Sequence, residues 1–397
     1  MRMAFLSVHS SPLGRAGSKD TGGMSTYLRG LSRALGEMGH QIDLFTRAAA
    51  AGEEGVWEIS PGVRLIAFED GLGPLDKYEL YPHCSHMAAV IDRFCGEGKA
   101  AYSLIFSHYW LSGVVGRVLQ EKWKIPHLIM FHTLGRAKNK ACRDENEPRL
   151  RLEQEEALAR SCDRIIVASR QEKENLLRFY NLPPDKIVHI PGGIDRTLFK
   201  PLERSQSKTA IGLDGKKIIL SVGRIEPIKG FDLLISAAAL LPGEDDFRLV
   251  IVGGDDQSSE RIARLKEGAA EQGLAGKVIF PGLVEHERMP LYYSAADVTV
   301  LASHYESIGL VALESIACGT PVAAGSVGVI PELLDNRAAG YPAPVYVPAD
   351  RSPAAWAAAI RQALLRPGPL GAGEIESCLA PFNWPPVAAE LARQLLI

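Results

Sequence analysis

MAFLSVHSSPLGRAGSKDTGGMSTYLRGLSRALGEMGHQIDLFT, residues 3–46, is the stretch whose reading decides the fold. It begins with a short apolar run, Met3–Val8. It passes through a loop of small and polar residues, then sets Tyr27, Leu28, Leu31 and Leu35 at helical spacing. Gly39 sits where a helix would stop, and a second apolar run follows at Ile42–Thr46. A strand, a loop, a helix and a strand in that order form the repeating unit of a parallel sheet covered by helices.

The pattern continues outward. Val63–Phe68, Leu104–Ser107, His127–His132 and Arg164–Ala168 read as further strands of the first half. Lys217–Val222, Arg248–Val252, Val278–Phe280, Val298–Ala302 and Pro321–Ala324 start the alternation again. Between them lies IPGGIDRTLFKPLERSQSKTAIGLDGKK, rich in Gly, Pro and polar residues, which places a boundary near Pro201–Lys208. The fold class is therefore α/β, with two Rossmann-like, doubly wound domains. Phe382–Ile397 reads as an amphipathic helix that crosses back onto the first. A chain of 397 residues suits two such cores.

Composition excludes several classes. A net charge of -3 offers nucleic acid and anionic membranes no general attraction. No apolar run approaches the roughly 20 residues of a spanning helix, and the N-terminal run is short for a signal peptide, so a cytoplasmic protein is expected. Cysteines 84, 95, 142, 162, 318 and 378 show neither C-x-x-C pairing nor metal-ligand spacing and read as reduced, buried thiols.

Three motifs follow strands, where open α/β sheets bind ligands. Gly22-Gly23 open the first helix, so its backbone N–H groups can meet a phosphate; an ordinary glycine N-cap is the competing reading. The G-x-G-x-x-G dinucleotide fingerprint is absent. In SVGRIEPIKGFDLL, Arg224 and Lys229 are two cations able to neutralise a diphosphate, or else two solvated loop residues. In HYESIGLVALESIACGTP, Glu306 and Glu314 lie eight positions apart around Gly309, a spacing that can set both on one side of the element. Glu306 suits sugar hydroxyls, Glu314 a ribose diol, and the backbone of Ile308, Gly309 and Leu310 the phosphates. A pair of unrelated surface glutamates is the alternative.

Together these motifs resemble the retaining glycosyltransferases of family 4, which have the GT-B fold. The resemblance spans nearly the whole chain. HSSPLGRAGSKDTGGM, DKYEL, SHYWLSG, FHTLGRAKN and GRIEPIKG are similar to the D-inositol-3-phosphate glycosyltransferases of that family, and TLGRAKN and ASRQEKENL also to sucrose-phosphate synthases. It implies an acceptor-binding domain at 1–200, a nucleotide-sugar-binding domain at 201–378 and a returning helix at 379–397. Gly23 would meet the donor diphosphate, Arg224 and Lys229 its phosphates, Glu306 the sugar and Glu314 the ribose. His132 would hydrogen-bond the transferred sugar or the departing oxygens. Lys77, Tyr109, Thr133 and Arg151 would hold an acceptor phosphate, with Arg149 and Lys138 as rivals to Arg151. His9 and the stretch from Asp20 to Ser25 would contact the acceptor ring. Ser25 in place of Asn, Ile308 in place of Phe, and Val284 where an Arg could stack on a base depart from the family pattern.

The expected reaction is hexosyl transfer with retention from a nucleotide sugar, UDP-glucose or UDP-N-acetylglucosamine, to a hydroxyl of a small phosphorylated polyol or sugar. No permanently bound cofactor is expected and Mg2+ is not required; Asp255-Asp256 reads as a solvated turn. A homodimer is compatible with the sequence. The alternatives are a sugar-nucleotide 2-epimerase and a non-catalytic nucleotide-sugar-binding subunit.

Overall fold

The structure, a computed structural model, describes residues 1–12, 14, 22–48, 52–96, 102–144, 146–242, 246–255, 258–335 and 344–395. The apolar runs become buried parallel strands because both faces of each sheet are covered by helices. Among the described residues, the first half contains β1 (Arg2–Leu6), β2 (Gln41–Arg47), β3 (Gly55–Ser60), β4 (Val63–Phe68), β5 (Leu104–His108), β6 (His127–Met130), β7 (Arg164–Val167) and β8 (Ile187–His189). They form one sheet in the order β3-β4-β2-β1-β5-β6-β7-β8. The second half contains β9 (Lys217–Val222), β10 (Phe247–Val252), β11 (Val278–Gly282), β12 (Val298–Leu301), β13 (Val322–Ala324) and β14 (Val345–Tyr346), ordered β11-β10-β9-β12-β13-β14.

Several strands end earlier than their apolar runs imply. β1 stops at Leu6 rather than Val8, β6 at Met130 rather than His132, and β7 at Val167 rather than Ala168. His132 has φ 58°, a left-handed conformation that no strand accommodates. The sheet of the first half is also not wholly parallel. β3 pairs antiparallel with β4 and forms the outer edge, an arrangement with no signature in the expected βα alternation.

Strand order fixes where ligands can bind. The first sheet reverses direction between β1 and β5, and the second between β9 and β12. At such switch points the loops leaving adjacent strands diverge and open a crevice beyond the carboxyl ends. The loops after β1 and β5 carry His9 and Tyr109. Those after β9 and β12 carry Arg224, Lys229 and Glu306.

The halves are tied at the chain's end. Helix Trp384–Gln394 packs along helix Gly23–Glu37, and Ile194 N donates to Phe382 O at 2.7 Å. The Trp384 indole fits between Gly30 and Gly193. A Cβ on either glycine would lie 2.2 Å from indole atoms, so only glycine leaves the ring room. All six cysteines are free thiols, and only Cys95 is not fully buried.

Among the described residues, the buried carboxyl of Glu172 has no cation beside it. Glu172 accepts a 3.2 Å bond from Ala168 N through one oxygen, while the other finds no partner among the described residues. Burial pushes its pKa up from 4.5 to about 8, against the opposing Ala168 N–H. Because the folded pKa exceeds the unfolded one, the folded chain holds the extra proton between about pH 4.5 and 8. Stability is therefore full below that window and lost as pH rises through it. Glu172→Gln removes this dependence. At pH 8 the variant should exceed the wild type in unfolding free energy, on the order of 3 kcal/mol, with the two converging near pH 4. Urea unfolding at the two pH values measures it, and parallel pH profiles would contradict it.

Candidate active site

A cleft of about 330 Å³ runs between the two switch points, a size suited to a small-molecule site. From the second half it is lined by Arg224, Glu226, Lys229, Glu306, Ile308, Gly309, Leu310 and Glu314. His9, Gly22, Gly23, Lys77, Tyr109, His132, Thr133, Lys138 and Arg151 face them from the first half.

The donor-side charges are organised in pairs. Lys229 Nζ lies 2.6 Å from Glu306 Oε1, which also accepts from Ser303 Oγ at 2.7 Å. Arg224 pairs with Glu226 at 2.9 Å. Each cation thus stands in the cleft beside a carboxylate, positioned by the tight loop after β9. Gly230, at φ 68°, closes that loop so near β12 that a Cβ would lie 2.4 Å from Ala302 O. Glu314 uses Oε2 to accept from Tyr293 at 2.6 Å, while its Oε1 faces His286 Nε2 at 3.6 Å. Gly309, at φ 90°, begins helix Leu310–Ala317, and Gly22 begins helix Gly23–Glu37. Neither has a side-chain cap, so first-turn N–H groups of both helices remain available at the cleft.

Backbone strain concentrates on the other side. Four non-glycine residues among those described have positive φ. Lys124 and Asn181 terminate helices, where a left-handed residue is ordinary. Tyr109 and His132 instead follow strands and face the cleft, where strain of this kind is held by function or tight packing. His132 Nε2 and His108 Nδ1 are 2.9 Å apart. Burial lowers the His132 pKa to about 3, so the ring is neutral near pH 7 and acts as a hydrogen-bonding group. His9 stacks on Tyr109 at 4.3 Å. Burial, reinforced by Lys77, Arg151 and His132, lowers its pKa to about 3 as well.

Arg151 is built into the wall. Its Nε donates to Glu155 at 2.7 Å, Nη1 meets Glu147 at 2.8 Å, and Nη2 donates to Thr133 O and Oγ1, both at 2.9 Å. Its guanidinium also lies over the Tyr109 ring, 5.0 Å from the centroid. Glu147 accepts from Tyr78 Oη at 2.6 Å and Lys138 Nζ at 2.5 Å. Although burial opposes it, the charges of Arg151 and Lys138 draw the Glu147 pKa down to about 2. Lys77 reaches over the Tyr78 ring at the rim. Of the two rivals to Arg151, Lys138 lines the cleft, whereas Arg149 is 90% exposed and pairs with Glu153.

One residue expected at the acceptor lies off the cleft. Ser25 does not line the cleft but is fully buried, with Oγ donating to Ser11 O at 3.2 Å. Met24 and Thr26 occupy the lining instead, because the helix phase turns Ser25 toward the protein. Asp20 lies outside the described residues. Leu283, Val284, His286 and Met289 also line the cleft. The resemblance already marks Val284, at the position where an Arg could stack on a base; for Leu283, His286 and Met289, position just beyond β11 is the signal that could have found them. Asp255 closes a turn with Ser258, and Asp256 lies outside the described residues. Among the described residues, no three His, Cys, Asp or Glu side chains gather to hold a metal, and no helix is long and apolar enough to cross a membrane.

Family models match both halves: "Glycosyltransferase Family 4" over residues 21–198 and "Glycosyl transferases group 1" over residues 203–371. The chain is 35% identical to the D-inositol 3-phosphate glycosyltransferase of Mycobacteroides abscessus, covering 98% of this chain and 88% of that protein. It is 38% identical to the protein of the same name from Acidothermus cellulolyticus, covering 92% and 83%. Among solved structures, the sucrose-phosphate synthase of Thermosynechococcus elongatus matches with a TM-score of 0.87 and 33% identity, over 99% of this chain and 98% of that one. These relatives lend no support to the epimerase or the non-catalytic alternative. The chain belongs to the retaining glycosyltransferases of family 4, with GT-B architecture.

Proposed function

We propose that the enzyme transfers a hexosyl group from a UDP-sugar, UDP-glucose or UDP-N-acetylglucosamine, to a hydroxyl of a small phosphorylated polyol or sugar. The observation that carries this reading is the placement of Arg224, Lys229, Glu306 and Glu314 on one wall of the cleft and Lys77, Lys138 and Arg151 on the other. Cations on both walls, with Arg224, Lys229, Lys138 and Arg151 each held by a carboxylate, suit a substrate pair that both carry phosphate. Two named relatives act in the same sense: one is a glycosyltransferase of inositol 3-phosphate, the other a synthase of sucrose phosphate. The division at residues 200 and 378, with the acceptor on the first half and the donor on the second, is part of the proposal.

In this reading Arg224, Lys229 and the open N–H groups after Gly22 and Gly309 stabilise the diphosphate as it leaves. The acceptor hydroxyl attacks from the face the diphosphate departs, through an oxocarbenium-like state, and a diphosphate oxygen takes the acceptor proton. The neutral His132 hydrogen-bonds the sugar. Closure of the cleft keeps water from the donor.

The test is nucleoside diphosphate release from UDP-glucose, UDP-N-acetylglucosamine and GDP-mannose, each with and without inositol 3-phosphate or fructose 6-phosphate. A UDP-sugar should be turned over, and one phosphorylated acceptor should stimulate release by at least about 10²-fold, where the unphosphorylated compound does not. Equal stimulation by unphosphorylated acceptors, or preference for GDP-mannose, would overturn the proposal.

A further inference from the structure

Residues 168–176, ASRQEKENL, line no part of the cleft, yet three consecutive side chains or backbone groups there bind the second half. Ser169 Oγ donates to Ser307 O at 2.8 Å. Arg170 N donates to Glu332 Oε1 at 2.7 Å, and its guanidinium pairs with Asp335. Gln171 is bonded twice: Nε2 donates to Ser326 O at 3.3 Å, and Oε1 accepts from Gly328 N at 3.0 Å. One amide therefore reads a donor and an acceptor of the same short loop, which requires the two halves to stand at this separation.

That loop is wedged beneath the residues facing the donor. Val329 N donates to Ile308 O at 2.8 Å. Gly328 has φ 55°, and a Cβ there would lie 2.3 Å from Ile308 O and 3.2 Å from Glu306 Cβ. With no slack between them, a displacement of residues 326–328 displaces the Glu306–Gly309 segment. Close-packed elements transmit such shifts instead of absorbing them.

We propose that Gln171 is a positioning residue for sugar transfer: from the first half, its amide clasps the 326–328 loop and holds Glu306 and Gly309 in register with the opposite wall. Ser169 acts in the same sense through Ser307. The inference rests on the reading that Glu306–Leu310 meet the donor. It adds that their placement depends on a residue touching neither substrate.

The test uses the whole enzyme, with Gln171→Met, which keeps the side-chain volume and removes both polar atoms, and Ser169→Ala as a second variant. Turnover is followed as nucleoside diphosphate release from the donor that the wild type uses, and UDP affinity by calorimetry. Two hydrogen bonds lost should lower kcat by about ten-fold in Gln171→Met. UDP affinity should fall less than kcat, since Arg224, Lys229 and Glu314 still line the cleft in place, and a wild-type thermal melt shows that the variant is folded. Ser169→Ala should shift in the same direction. Wild-type kcat in Gln171→Met, or a loss confined to UDP affinity, would overturn the proposal. Glu306→Gln is the control for the underlying reading: undiminished turnover there removes Glu306 from the donor site, while the Gln171 result is judged on its own kcat.

Discussion

Replacing Lys229 by methionine should lower kcat/KM for the donor by about 10²- to 10³-fold, the loss typical of removing one preorganised group that stabilises charge in a transition state. The methionine keeps the aliphatic stem, which in lysine packs 3.4 Å from the position of a Cβ on Gly223, so the loop after β9 retains its filling. What disappears is the ammonium 2.6 Å from Glu306. The departing diphosphate loses a counter-charge, and it also meets a carboxylate whose own partner is gone. Both effects act on the same developing negative charge. Lys229→Arg, which keeps the charge but not the compact geometry, should recover only part of the loss. Steady-state kinetics with a thermal melt as a check on folding measures this. A kcat/KM within about threefold of the wild type would remove Lys229 from the chemistry.

The second large effect concerns stability. Arg151→Met should destabilise the first half by about 3–5 kcal/mol, the cost of stranding buried charge when one partner is removed. Arg151 is 1% exposed and lies between Glu147 and Glu155, whose side chains are 5% and 0% exposed. Glu155 in turn accepts from Gly135 N and Tyr180 Oη, so the arginine stands at the centre of a network and not on its rim. Lysine cannot reproduce the fork and should rescue little. Adding Glu155→Gln to Arg151→Met should return part of the loss by removing the stranded charge, a non-additivity that a double-variant cycle reads directly. Urea unfolding is the measurement, and a single-variant loss below about 1 kcal/mol would contradict a buried structural role.

The legible parts of this molecule are those where burial and local pattern agree. β4 and β9 have the bounds their apolar runs imply, because both strands lie in the sheet interior and turn residues flank them. The motifs just past β9 and β12 were legible for a related reason: strand order makes those ends the mouth of a cleft. β3 escaped because GVWEIS is an edge strand with Val56, Trp57 and Glu58 exposed, so it lacks the buried run of its neighbours. β8 and β14, at three and two residues, lie at sheet edges and are only partly buried, so they lack the apolar run that marks the equally short β13.

The differences at the site have equally local causes. The family resemblance implies Ser25 at the acceptor ring, but one helical position turns a side chain by roughly 100°, enough to bury it while Met24 and Thr26 face the cleft. The left-handed backbone at His132 and Tyr109 is set by packing, which no single-residue preference announces. Glu147 and Glu155 stand four positions either side of Arg151, a spacing the sequence does carry, but its bonds to Thr133 and the clasp at Gln171 join segments distant in the chain, and for those a single sequence carries no direct signal.

The most direct test of the account is the crystal structure of the wild-type enzyme with UDP. The diphosphate oxygens should lie within hydrogen-bond distance of Arg224 and Lys229, and a ribose hydroxyl should bond Glu314 through Oε1, the oxygen not taken by Tyr293. UDP bound instead at the Lys77 and Lys138 end of the cleft, or away from both walls, would contradict the assignment of the second half to the donor.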